Sequence, residues 1–181
     1  SAIVPSGAST GKGVYQLDIC THTVKLFPIC AEIDQDEVLN VCQISDNKLW
    51  ILLRSRNLWQ YDISIKKAEH LQKDMGCGMV MDNMKNVWIS HNKGISCYEF
   101  NTKKWTNYDK SDGLQGYEFN DNAALLTHKG DILFGGAYGF NSISPLLLRK
   151  NTIAPQIVLT GFSVYDNKIL DFFQIQNKEE I

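Results

Sequence analysis

A strand–turn–strand unit that repeats at roughly 40 residues is the feature that most constrains the fold of this chain. Residues 41–51 and 79–89 each read as an apolar strand, a turn of Asp, Asn and Lys, and a second strand with the pair Trp-Ile. Short strands with period-two alternation, bounded by such turns and recurring at this spacing, are typical of four-stranded propeller blades. Helical periodicity is almost absent, so the pattern predicts an all-β fold.

Two further segments extend the repeat in both directions. Residues 124–143 supply a third copy, in which Phe134 is predicted to take the Trp position, and residues 13–17 match the second half of the unit. The sequence thus predicts a partial β-propeller of about three and a half four-stranded blades. A seven-bladed ring at this period needs roughly 280 to 320 residues, so the remaining blades are expected upstream.

The pattern changes near residue 151, and we predict two domains on that basis. Residues 1–150 are interpreted as the C-terminal blades of the propeller, and residues 151–181 as a linker followed by the truncated start of another β unit. The expected strands flank a turn at Asp166-Asn167. Pro145 is predicted to open a helical segment of one or two turns.

Charge and cysteine usage exclude several classes of function. With 18 basic and 20 acidic residues and no block of like charge, nothing draws the chain to nucleic acid or to a membrane surface. No apolar run of about 18 residues is present. The 5 cysteines have no metal-ligand spacing and are predicted to be free, mostly buried thiols, with one or two disulfides as the alternative.

Catalytic motifs are missing from the sequence. It contains no GxSxG, HExxH, GxGxxG or P-loop pattern, and we predict no catalytic residue, no metal and no cofactor. Carboxylates exist that would suit a glycosidase pair, but the sequence does not give their separation. They are Asp82, Asp112, Glu118 and Asp121.

One face of the predicted propeller collects polar turn residues. In an up-and-down four-stranded blade, the turn after the second strand and the link between blades lie at the same end. The predicted ligand-binding residues are Arg54, Arg56, Asn57, His91, Asn92 and Tyr138. Lys93, Asp112, Gln115, Tyr117 and Asn120 are expected on the same face. Such groups bond sugar hydroxyls, pair with uronate or sulfate, and stack on pyranose rings.

A structural role competes with binding at each of these positions. The asparagines and Asp112 are favoured as turn formers, His91 as a solvated turn residue, and Tyr117 and Phe119 as packing between blades. Arg54 and Arg56 have the strongest functional character, because two cations two residues apart at a tip can hold an anion.

The tryptophans divide into two groups by their place in the repeat. Trp50, Trp88 and Phe134 are predicted to form core between blades, because they recur at one register. The sequence leaves two alternatives for Trp59 and Trp105: each is packed in the core, or is exposed on an outer strand and available to a sugar or a partner subunit.

The C-terminal part carries a family resemblance. Its residues run Asp112-Gly113-Leu114, Tyr117-Glu118-Phe119-Asn120, the glycine-rich segment 130–141, Pro145, and then Pro155-Gln156-Ile157-Val158-Leu159-Thr160. This order resembles the closing propeller blade of the periplasmic sensor in hybrid two-component regulators, followed by the first strands of that family's immunoglobulin-like β-sandwich. The chain departs from the family at residues 52–57, where the usual small residue and glycines are replaced.

The resemblance implies a periplasmic, ligand-sensing segment of an inner-membrane histidine kinase receptor. It implies an oligosaccharide ligand, a homodimer in the full-length receptor, and kinase activity in domains outside this chain. The alternatives from the sequence are a propeller that acts as a protein-interaction scaffold and, third, a propeller polysaccharide lyase or glycoside hydrolase.

Overall fold

A computed structural model describes residues 2–5, 11–148, 161–164 and 167–171 of the chain. The fold divides into two compact units, Ser1–Leu147 and Leu148–Ile181. The domain boundary predicted near residues 151–155 lies outside the described residues and stays a prediction.

Four antiparallel sheets, each built from strands that follow one another in the chain, make up the first unit. Sheet 1 contains β1 (Ala2–Pro5), β2 (Val14–Asp18) and β3 (Thr23–Phe27). Sheet 2 contains β4 (Val38–Ser45), β5 (Lys48–Leu53), β6 (Leu58–Asp62) and β7 (Lys67–Gln72). Sheet 3 contains β8 (Gly78–Met81), β9 (Val87–His91), β10 (Gly94–Glu99) and β11 (Lys104–Tyr108). Sheet 4 contains β12 (Phe119–Leu126), β13 (Ile132–Gly136) and β14 (Gly139–Ile143).

Short helical segments connect or follow these sheets. Helix α1 (Ala31–Asp34) joins sheet 1 to sheet 2 and buries Ile33. Single 3₁₀ turns occur at Lys110–Asp112 and Pro145–Leu147, and the second is the helical segment that Pro145 predicted. Helix α1 was not predicted. Among the described residues, none of the helices has the length and apolar character needed to cross a membrane.

One hairpin turn is held by an aspartate that the repeat pattern assigned to it. Asp82, in the turn between β8 and β9, accepts hydrogen bonds from the backbone N–H of Met84 and of Asn86, each at 2.8 Å. Its other carboxylate oxygen accepts from the indole Nε1 of Trp88 at 2.9 Å. A buried carboxylate with this many donors fixes both the turn and the tryptophan.

The core fills the spaces between successive sheets, because both faces of the inner strands are apolar. Leu49 and Ile51 of β5 pack toward sheet 1, whereas Trp50 packs toward sheet 3. Trp88 of β9 packs toward sheet 4. Trp105 is half-buried and its ring centroid lies 6.0 Å from that of Trp50 in a stacked arrangement. The core positions predicted for Trp50 and Trp88 are confirmed.

Phe134 lies in the core but not at the predicted register. It is fully buried with Ile132 against Trp88 and Cys97, so it faces the preceding sheet. The strand pairing instead places Leu133 at the position of Trp50 and Trp88. Because side chains alternate between faces, a shift of one residue puts the aromatic ring on the opposite side of the sheet.

The second unit is described only as a hairpin. Strand β15 (Gly161–Val164) pairs antiparallel with β16 (Asn167–Asp171). This agrees with the two strands predicted there, while the remainder of the predicted β-sandwich lies outside the described residues.

Across the described residues the chain is almost entirely β, and the predicted all-β fold is confirmed. Sheets of four sequential antiparallel strands are compatible with propeller blades, and that finer architecture stays a prediction. All five cysteines are free, as predicted, although only Cys77 and Cys97 are buried.

Candidate functional site

A cavity of about 680 Å³ opens where the turn between β9 and β10 meets the links that follow β7 and β11. We call it the turn cavity. Its lining comprises Arg56, Gln72, Lys73, Asp74, Met75, His91, Asn92, Lys93, Ser96, Asn107, Tyr108 and Asp109. Turns after the second strand and links between sheets therefore meet at one edge, as the blade pattern predicted.

His91 is held by hydrogen bonds at both ring nitrogens, and one of them continues through Ser96 to Asn107. Its Nε2 lies 2.6 Å from Ser96 Oγ, and Ser96 Oγ donates to Asn107 Oδ1 at 2.7 Å. The backbone N–H of Lys93 donates to His91 Nδ1 at 3.1 Å. Because Nδ1 accepts, the proton of the neutral ring is assigned to Nε2, which donates to the serine.

Burial lowers the pKa of His91, and the nearby positive charge of Lys93 lowers that pKa further. The ring is half-buried, so the prediction of a solvated turn residue is wrong. His91 presents a fixed neutral imidazole in the wall of the turn cavity.

Gly94 closes the β9–β10 turn in a conformation that favours glycine. Its φ is +134°, and a Cβ at this position would overlap the carbonyl oxygen of Tyr108. This close approach brings β11 against the turn and places Tyr108 in the cavity wall. The Tyr108 ring stacks on Trp88 with centroids 5.6 Å apart, which anchors the wall to the core.

The turn between β5 and β6 is longer, with four residues between its strands against two in the β9–β10 turn, and its electrostatic setting differs. Arg54 donates from Nη1 to both carboxylate oxygens of Glu37, at 3.1 and 3.2 Å. Asp121 of β12 lies between the two arginines, with N–O distances of 3.9 Å to Arg54 and 3.8 Å to Arg56. The pair predicted to clamp an external anion is thus compensated by carboxylates of the protein itself.

Arg56 additionally contacts the buried link before β8. Its Nη1 donates to Cys77 Sγ at 2.7 Å and lies 3.3 Å from the carbonyl oxygen of Gly76. The hydrogen bond to Cys77 raises the arginine pKa. Arg56 also lines the turn cavity, so it connects the core to the site.

The other predicted residues lie elsewhere. Asn57 contacts Ser55 Oγ at 3.0 Å and the His70 ring at 3.1 Å, which is a role within the turn. Tyr138 lines a separate cavity of about 340 Å³. Of the predicted set, the turn cavity unites Arg56, His91 and Asn92, and whether they bind a ligand stays a prediction.

Sequence reasoning missed eight residues that line the turn cavity. They are Gln72, Lys73, Asp74, Met75, Ser96, Asn107, Tyr108 and Asp109. Residues 73–74 belong to the link between sheets 2 and 3, which the blade rule already assigned to this edge. The signal for Ser96 and Asn107 was weaker, because a polar residue within a strand looks the same whether it faces solvent or a cavity.

The charge of the turn cavity is mixed, with free cations. Asp109 accepts from the N–H and the hydroxyl of Ser111, at 2.7 and 2.6 Å, and these bonds lower its pKa. Neither Lys73 nor Lys93 has an ion-pair partner in the part of the chain that the structure describes. No cluster of His, Cys, Asp and Glu suited to a metal ion occurs there either.

Comparison with known proteins reveals one sequence relative and several structures. No protein-family profile matches the chain. Over 88 residues, or 49% of this chain, it is 39% identical to histidine kinase P4 of Formosa agariphila, and this match covers 6% of that protein.

Two solved structures share the fold, both extracellular domains of hybrid two-component systems from B. thetaiotaomicron. One has a TM-score of 0.54 and 19% identity over 75% of this chain and 18% of its own. The other has a TM-score of 0.53 and 16% identity over 75% of this chain and 19% of its own. The chain thus spans a small part of the proteins it resembles.

Proposed function

We propose that the chain senses a ligand outside the cytoplasm, because its fold resembles extracellular domains of hybrid two-component systems and about half of its sequence resembles a histidine kinase. The ligand proposed is an oligosaccharide, and the segment belongs to the periplasmic part of an inner-membrane receptor. The histidine kinase acts in domains outside this chain. No chemistry is assigned to the segment itself.

The observation that carries the proposal is the convergence of two turns and two links on the turn cavity. Its volume falls in the range of roughly 300–1,000 Å³ that small-molecule sites occupy. Asn92 and Asn107 supply amides for sugar hydroxyls, and Lys73 and Lys93 supply cations for a uronate or sulfate group. The neutral imidazole of His91 adds a further polar group to the cavity wall.

Signalling requires that the ligand distinguish two states of the receptor. We propose that the receptor is a homodimer and that the oligosaccharide binds one arrangement of its subunits more tightly than the other. A ligand with equal affinity for both arrangements does not change the equilibrium between them, however tightly it binds. The turn cavity suits this role because its wall joins sheet 2 to sheet 3 through Arg56.

Calorimetric titration of the whole extracytoplasmic region with neutral and anionic oligosaccharides tests the proposal, with product analysis of each mixture. Binding without turnover, weakened by Lys93→Ala, is the expected result. Absence of binding across the panel would favour the protein-interaction scaffold, and appearance of cleaved sugar would favour a lyase or hydrolase.

A further inference from the structure

We propose that the cavity between the β11–β12 link and the β13–β14 turn is a subsite for a neutral pyranose ring. We call it the aromatic cavity. It measures about 340 Å³ and is lined by Lys110, Gln115, Gly116, Tyr117, Glu118 and Tyr138. The class of ligand rests on the proposed function, whereas the geometry of this cavity is separate from the turn cavity.

Exposed aromatic rings concentrate at this corner of the fold. Tyr117, Tyr138 and Phe140 have exposed fractions of 46%, 75% and 68%. At the other Phe, Tyr and Trp positions within residues 11–148, the side chains are buried or half-buried. Exposed apolar side chains that cluster beside a cavity are typical of ligand or partner sites.

The ring of Tyr138 is positioned rather than free. A Cβ on Gly116 would stand 3.2 Å from Tyr138 Cδ2, so the ring lies over the backbone of the link. The backbone N–H of Tyr138 donates to Gln115 Oε1 at 2.9 Å. An aromatic ring held close to a glycine, with most of its surface open to solvent, provides a flat platform for the apolar face of a sugar.

Gln115 connects this platform to the core. Its backbone N–H donates to Oδ1 of the buried Asn141 at 2.8 Å. Gly136 leaves the room that the Gln115 amide occupies, since a Cβ there would overlap Gln115 Nε2. Both Gln115 Nε2 and Asn141 Nδ2 are buried without a hydrogen-bond partner among the described residues. These two amides are enclosed by the protein, so Gln115 holds the backbone of Tyr138 from below rather than reaching into the cavity.

The aromatic cavity and the turn cavity differ in the charge of the residues that line them. Lys110 and Glu118 contribute one charge of each sign to its lining, so the cavity has no excess of either. A lining with no net charge gives an anionic sugar no cation in excess, so a neutral sugar suits it, whereas the turn cavity offers Lys73 and Lys93 without ion-pair partners among the described residues. The two cavities therefore select different sugar units.

The test uses the extracytoplasmic region of the receptor and a defined set of probes. Cellohexaose, xylohexaose, mannohexaose and laminarihexaose are titrated as neutral probes, and hexagalacturonate as the anionic probe. Tyr138→Ala is the main variant, because stacking and apolar contact are lost while the backbone N–H that donates to Gln115 is kept. Phe140→Ala is the matched control, since this exposed aromatic residue does not line the cavity.

We expect at least one neutral probe to bind roughly tenfold more weakly to Tyr138→Ala and equally well to Phe140→Ala. Equal loss in both variants, no loss in Tyr138→Ala, or no neutral binding to the unmodified protein would overturn the inference. If hexagalacturonate still binds in a way that depends on Lys93, the proposed function stands although the inference fails. Absence of all binding removes both.

Discussion

Two turns at the same place in successive sheets differ in what their polar side chains contact. The β5–β6 turn carries Arg54 and Arg56, which face Glu37 and Asp121 and reach the buried Cys77. The β9–β10 turn carries Lys93, which has no ion-pair partner among the described residues and borders the turn cavity. We refer to them as the arginine turn and the histidine turn.

The difference shows that charge at a turn does not by itself mark a binding site. The arginine turn has the denser positive charge in the sequence, yet carboxylates from β12 and from the residue before β4 compensate it. The histidine turn is only modestly charged, and it is the turn whose polar groups surround a cavity. What separates them is the presence of acidic neighbours that are distant in sequence.

The largest expected effect comes from Gly94→Ala in the histidine turn. The side chain would require an unfavourable φ and would collide with the Tyr108 carbonyl, so we expect a loss of about 3 kcal/mol or more in unfolding free energy. Asn57 occupies the matching place in the arginine turn, and Asn57→Ala should cost roughly 1 kcal/mol or less. Denaturant unfolding of both variants measures this, and equal losses would contradict the register assigned here.

The next effect concerns Arg56, whose removal leaves Cys77 and the Gly76 carbonyl without their donor. Arg56→Ala should lower stability by about 1–2 kcal/mol. Arg56→Gly loses the same contacts but relaxes the left-handed backbone, where φ is +63°, and should therefore be less destabilised than Arg56→Ala. Thermal unfolding compares them, and a more stable Arg56→Ala would disprove a strained turn.

A smaller effect is a dependence of stability on pH that arises in the histidine turn. The folded pKa of His91 is lowered, so the unfolded chain takes up a proton first as the pH falls. The contribution of His91 to stability is fully present above the pKa of histidine in the unfolded chain, about 6.5, and it declines as the pH drops below that value. His91→Gln should therefore weaken the dependence of the melting temperature on pH between about pH 7 and pH 5. An unchanged slope in His91→Gln would argue against the assigned network.

The smallest expected effect is that of Arg54→Ala. The ion pair between Arg54 and Glu37 is exposed to solvent. Its removal should therefore lower the free energy of unfolding by no more than about 1 kcal/mol, and by less at high salt. Unfolding at low and high ionic strength gives the comparison. A loss that does not respond to salt would indicate that Arg54 contributes through packing instead.

Much of the local structure of sheets 2 and 3 could be predicted from the sequence, because period-two alternation and Asp-Asn turns are local signals. Asp82 illustrates this, since its turn role follows from its place after an apolar strand. The register of Phe134 could not be predicted by aromatic identity, because two adjacent strand positions both accept a large side chain. Strand pairing, which is a tertiary property, decided between them.

The candidate site was predictable in part. The rule that turns and links share an edge correctly united Arg56, His91 and Asn92, since it depends only on strand order. The rule did not predict that Tyr138 lines a different cavity, and it did not predict the ion pairs of Arg54 with Glu37 and Asp121. Those outcomes depend on side chains from other sheets, and nothing in a single segment specifies them.

The most direct test removes one positive charge from each turn and measures affinity and stability together. Lys93→Ala and Arg54→Ala are matched in charge and both positions are exposed. Titration of the extracytoplasmic region with hexagalacturonate should show a loss of roughly tenfold or more in affinity for Lys93→Ala, with unchanged unfolding, and little loss for Arg54→Ala. Equal affinities for the two variants, or a greater loss for Arg54→Ala, would contradict the assignment of the histidine turn as the ligand-facing one.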